Sequence, residues 1–226
     1  MKHKTLIPLI LAAGLAHSAE PIRTIDIHVT PYYAAGNPPQ INIGLDFQQL
    51  LASDKREDIL AARDRIAANP AGITPMSMMV LAIRLYDVGE RDESVFWHYA
   101  AKNRFYTLMN AVDPDASGLF EARHAMNAFV ELAGPYHNSY AFCERDRQPA
   151  IAKRAIDWVE ANPYAAIDHP NMVPLPGGTQ ENVKKTIAKL RDAQQKEAEQ
   201  LNDPAFWQEF QQQRRDKGVD EQFCWK

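Results

Sequence analysis

The chain has 226 residues, with 25 basic against 29 acidic side chains and a formal net charge of −4. Phosphate recognition needs clustered Lys and Arg, so this balance argues against nucleic acid as a partner. The length suits one domain with a sizeable core, and beyond its first residues the chain has no apolar run near the roughly 20 residues needed to span a bilayer.

Residues 1–19 open with Lys2 and Lys4, continue through the apolar stretch Leu6 to Ala13, and reach small residues at Ala16, Ser18 and Ala19. That order of basic head, short apolar middle and small-residue zone predicts a secretory signal peptide, cleaved after Ser18 or Ala19, and a periplasmic location. Without Lys2 and Lys4 the remainder carries 23 basic and 29 acidic side chains.

Residues 20–45 predict an N-terminal extended or β segment. In Arg23 to Thr30 the residues Ile25, Ile27 and Val29 alternate with polar ones, the period of a half-buried strand, and Ile41 with Ile43 allows a second short strand after a Pro-rich loop.

From residue 46 to 226 the signals predict a helical domain. Asp54 and Glu57 form a capping pattern before Ile59, and Asn69-Pro70 closes that helix. Thr74-Pro75 opens a second helix, apolar nearly all round, which Gly89 ends. Asp92 begins a third helix reaching Met109, close enough to its predecessor to fold back as an antiparallel hairpin. A fourth, capped by Asp115 or Ser117, carries Leu119, Phe120, Met126, Phe129, Val130 and Leu132 and is expected to stop at Gly134-Pro135. Pro149 to Ala161 makes a fifth, and Tyr164 to Gly178, rich in Pro and Gly, reads as a loop. Thr179 then caps a long polar helix with a thin apolar stripe, and Asp203-Pro204 starts a last one. The fold class is thus all-α, built of antiparallel helical hairpins, with a short N-terminal β segment.

The two cysteines, Cys143 and Cys224, would meet an oxidising compartment after export, and a bridge between them is expected. They lack the paired spacing of a zinc module, and no metal or cofactor is expected.

Within the hairpin, Tyr86-Asp87-Val88-Gly89 followed by Trp97-His98-Tyr99-Ala100-Ala101 resembles the turn and second helix of tetratricopeptide and Sel1-like repeats, over about 25 residues and with no second copy. The exported, acidic, helical chain with its LYDVGERDESVFWHYAAKNR hairpin also resembles the periplasmic immunity proteins encoded beside type VI secretion effectors. That resemblance implies a protein that binds and neutralises a secreted antibacterial effector.

No H-E-x-x-H, G-x-S-x-G, P-loop or G-x-G-x-x-G pattern occurs, so no enzyme is expected. The residue types of a hydrolytic triad meet in Ser139, His137 and Asp146, and the alternative reading is a periplasmic hydrolase using a loop histidine, His137 or His169. A third reading is a repeat-type envelope scaffold. For a protein partner, the amphipathic candidates are Trp97, Tyr99, Lys102, Arg104 and Tyr106 on the hairpin, with Tyr136, His137 and Tyr140 from the following loop as a rim.

Overall fold

A computed structural model describes residue 47 and residues 49–224. The signal peptide, its cleavage site and the β segment expected at 20–45 lie outside the described residues. The described part is helical: α1 (Arg56–Ala68), α2 (Pro75–Asp87), α3 (Arg91–Ala111), α4 (Phe120–Ala141), α5 (Arg147–Ala161), α6 (Thr179–Asn202), α7 (Pro204–Asp216) and α8 (Val219–Phe223).

Two helix starts follow directly from the local sequence. Thr74 Oγ1 accepts the Ser77 N–H at 3.1 Å and Asp203 Oδ1 accepts the Ala205 N–H at 2.9 Å, each with a proline at the first helical position. The other expected caps are corrected. Asp54 sits outside α1, whose flanking Lys55 makes no side-chain cap, while Ser53 Oγ donates to Asp58 Oδ2. Asp113, not Asp115 or Ser117, organises the turn before α4 by accepting the Asp115 and Ala116 N–H groups, and Ser117 Oγ accepts the Val173 N–H. Ahead of α6 the flanking residue is Gly178 at φ 84°, and Thr179 Oγ1 donates to Asp168 instead of capping.

Helices α2 and α3 form the expected hairpin, turned by Gly89 at φ 86°, a left-handed value that favours glycine. Seen from its neighbours, α3 is the axis of the molecule: α2, α4, α5 and α6 all pack on it, and α1 covers α2 from outside. This central place explains why α3 buries Val95, Phe96, Trp97, His98, Tyr99, Ala100 and Ala101 in one unbroken run. Ala100 and Ala101 let the neighbouring helices approach closely. The main core joins this run to Met76, Met78, Met79, Leu81 and Leu85 of α2.

A smaller core caps the far end of α3. There Leu108, Ala111 and Val112 meet Leu119, Tyr164, Ile167 and Met172. The Pro- and Gly-rich stretch 164–178 is therefore held in place, with a 3-10 turn at Ala165–Asp168 and an antiparallel bridge between Val112 and Pro174.

The largest departure from expectation concerns α4. Gly134-Pro135 does not end it; the helix runs on to Ala141. The carbonyl that loses its partner belongs to Glu131, which like Pro135 is on the solvent side, so water can satisfy it, while Gly134 is on the buried side. Tyr136, His137 and Tyr140 are in consequence helical residues and not parts of a loop.

Candidate functional site

The sequence-based partner-binding candidates separate into two groups. Trp97 is buried edge-to-face against Phe96 and Trp158, each with ring centroids 5.2 Å away. Arg104 is buried as well, donating to the carbonyls of Pro70, Ile73 and Asn162 at 2.7, 2.9 and 2.8 Å. Tyr99 keeps only a small exposed fraction, with its hydroxyl donating to Asn138 Oδ1 at 3.2 Å. His137 is buried with Nδ1 2.7 Å from the Ala133 carbonyl. Their packing removes Trp97, Arg104 and His137 from any contact surface. Helical periodicity missed this because α3 has no solvent face over much of its length.

Tyr106 and Tyr136 remain exposed, and Lys102 and Tyr140 are half-buried. The Tyr140 ring lies under the guanidinium groups of Arg147 and Arg91, 4.6 and 5.7 Å from its centroid, so one of its faces is already engaged.

The structure adds two residues of α4 that were not among the sequence-based candidates. Phe120 is 57% and Leu132 66% exposed, and with Tyr136 at 49% they lie on the outward half of α4. Successive steps of four place Phe120, His124, Ala128, Leu132 and Tyr136 along that half, while Ala122, Met126, Ala133, His137 and Ala141 face inward. The clue available in the sequence was the apolar content of α4 all round. A helix seated at the edge of a bundle cannot bury both halves, and here the inner half is furnished with small residues. Glu121 and Glu131 on the exposed half add negative charge.

Catalytic chemistry finds little geometry. His137 belongs to a helix, and Ser139, two positions on, projects from a different side of α4. Its carbonyl receives Arg214 Nη2 at 2.9 Å. His169 Nδ1 accepts the Asn171 N–H at 3.2 Å in the turn before α6. Among the described residues no group of three or more His, Cys, Asp or Glu is placed to hold a metal ion, and no helix is long and apolar enough to cross a membrane.

Cys143, just past α4, is bonded to Cys224, just past α8. Arg214 of α7 closes over this bridge, with Nη2 3.2 Å from Cys224 Sγ and Nε 2.7 Å from Asp220 Oδ1. The bridge thereby fixes α8 to the end of α4, where Phe223 meets Tyr136 edge-to-face at 5.7 Å.

Against known proteins, the chain is 32% identical over 219 residues to an uncharacterized protein of Haemophilus influenzae, an alignment covering 96% of this chain and 85% of the relative. No family model matches it. No solved structure matches it either.

Proposed function

The chain belongs to the same family as the Haemophilus influenzae protein, and on that footing we propose that it works outside the cytosol as a binding protein for another protein, its task being to neutralise a secreted antibacterial effector. The observation that carries this reading is the outward half of α4, where Phe120, Leu132 and Tyr136 are all exposed on one helix. Large apolar side chains displayed together in this way suit the helix-in-groove mode of recognition, in which a partner's cleft takes the anchors and a polar rim excludes water. The bonded cysteine pair supports an oxidising location, and the signal-peptide pattern at residues 1–19 agrees with it.

The acidic balance of the chain suits a basic face on the effector, which charge would steer toward it at low salt. The test is co-expression with each effector encoded beside the gene, followed by capture of the complex and by survival when the effector is directed to the periplasm. Capture and survival are expected for one effector, with both lost in Leu132→Glu and Phe120→Glu variants whose unfolding midpoints stay at the parent value. Capture of several unrelated envelope proteins without protection would instead identify an envelope scaffold, and absence of both capture and protection would overturn the proposal.

A further inference from the structure

Two cavities of about 530 and 550 Å³ lie side by side along α3 and α6 and share Lys102, Asn103, Leu190 and Ala193, so that they form one cleft with two compartments. The first compartment is of mixed polarity. Tyr99, Asn138, Gln148 and Glu197 line it together with apolar Ile156 and Ala152. The second is mainly apolar, walled by Phe105, Met109, Met126 and Val130, with Tyr106, Asn127 and Lys189 also lining it. Both compartments are open to solvent along one side, and each volume lies in the range of small-molecule sites.

Three polar groups line the first compartment, and one of them, Lys102, also stands at the junction. Gln148 is buried and donates Nε2 to Glu197 Oε2 at 2.9 Å, while its Oε1 is buried with no hydrogen-bond partner. An unsatisfied buried acceptor is costly and is met only sparingly in folded proteins. Lys102 lines the same compartment, half-buried, with its ammonium 5.8 Å from the Tyr99 ring centroid, and among the described residues no carboxylate closes an ion pair with it. Burial pulls the Lys102 ammonium below its ordinary range, with the Glu197 carboxylate opposing that fall from a distance. Glu197, exposed at the mouth, offers the opposite charge.

The geometry points to a binding site for a short apolar peptide in this cleft, its terminal carboxylate on Lys102, a backbone or terminal N–H on Gln148 Oε1, and an apolar side chain in the compartment of Phe105, Met109, Met126 and Val130. A fatty acid matches the ammonium and the apolar compartment, but it brings no donor for Gln148 Oε1 and no positive group for Glu197. A di- or tripeptide brings all of these on one scaffold. The site lies along α3 and α6 and does not use Phe120 or Leu132, so it stands apart from the partner-binding reading, and either can fail without the other.

Titration calorimetry of the exported protein with the dipeptide Leu-Leu tests the assignment, with Leu-Leu amide, N-acetyl-Leu-Leu and decanoate as comparison ligands. Leu-Leu is expected to bind in the micromolar range. Removing its carboxylate by amidation, or Lys102 by Lys102→Met, should each weaken binding at least tenfold, and acetylation or Gln148→Leu should each weaken it severalfold. Since the wild-type comparison of Leu-Leu with its amide needs no variant, failure of Lys102→Met to fold would leave the test decisive. No heat of binding for Leu-Leu at millimolar concentration, equal binding of the amide, or tighter binding of decanoate would each overturn the assignment.

Discussion

The imidazole rings of His98 on α3 and His137 on α4 stack with their centroids 4.5 Å apart and their planes 6° from parallel. Both ring nitrogens of His98 are buried without a hydrogen-bond partner, whereas His137 is tied to the Ala133 carbonyl. Two imidazoles pressed together in this manner cannot both be charged, and burial disfavours the charged form of each. Burial pushes His98 down to about 2, with His137 and Lys102 adding to the fall. It lowers His137 too, against the opposing pull of its backbone carbonyl contacts and of Asp87.

These shifts make the protein sensitive to acid. A base whose folded pKa lies below its unfolded value binds fewer protons when folded, so its contribution is complete above about pH 6.5 and is lost as pH falls toward the folded value. For His98 alone the loss between pH 7.5 and pH 5.5 is about 1.4 kcal/mol, and His137 adds to it in the same direction. Urea unfolding at the two pH values should show that fall. In a His98→Leu variant the slope with pH should shrink; an unchanged slope would place the acid sensitivity elsewhere.

Arg104 is the second polar group whose burial is productive. Its guanidinium lies between the rings of Trp158 and Tyr164, 4.7 and 5.3 Å from their centroids, and joins α3 to the turn at Pro70–Gly72 and to the end of α5 through three carbonyls. Burial brings its pKa down to about 10, which still leaves it cationic at neutral pH. Arg104→Met would strip these carbonyls of their donor and should cost about 3 kcal/mol or more, measured as a fall in the denaturant midpoint. Arg104→Lys keeps the charge without the planar fork, and an intermediate loss is expected.

The contrast between what was legible in the sequence and what was not follows from the range of the forces involved. Thr74-Pro75, Asp203-Pro204 and Gly89 act within one helical turn, so the starts of α2 and α7 and the bend of the hairpin could be read directly. The bond between Cys143 and Cys224 was legible because only one pairing exists. Gly134-Pro135 was misread as a stop because its tolerance depends on which side of α4 meets solvent, a tertiary fact. The same fact decided the candidate site. Tyr106 and Tyr136 were found from residue type, yet Phe120 and Leu132 were left out of the candidates while the buried Trp97, Arg104 and His137 were included, because an apolar pattern does not say which helix becomes the axis of the bundle.

The bridge between Cys143 and Cys224 spans 81 positions and encloses α5, α6, α7 and α8. In the chain-entropy account a loop of this length gives about 4.5 kcal/mol, by restricting the unfolded chain. The double Cys143→Ser, Cys224→Ser variant should therefore unfold at a markedly lower urea concentration, and α8 should gain hydrogen exchange before α3 does. Intact mass under non-reducing conditions should be two hydrogens below the reduced value. Equal stability with and without the bridge would mean that Phe223 and Arg214 alone hold α8 against α4.

Gly89 separates backbone cost from packing cost at the bend of the hairpin. A Cβ built there would meet nothing within 4 Å, so an added methyl group has room. Its φ of 86° is nevertheless one that residues with a Cβ rarely adopt. Gly89→Ala should then destabilise by about 1–2 kcal/mol through the backbone alone, and Gly89→Asn by less, since asparagine tolerates left-handed conformations better. Denaturant midpoints of the two variants give the comparison. If alanine and asparagine cost the same, or neither costs anything, the bend must relax to a different turn when substituted, and the antiparallel register of α2 and α3 would then depend on core packing and not on the glycine.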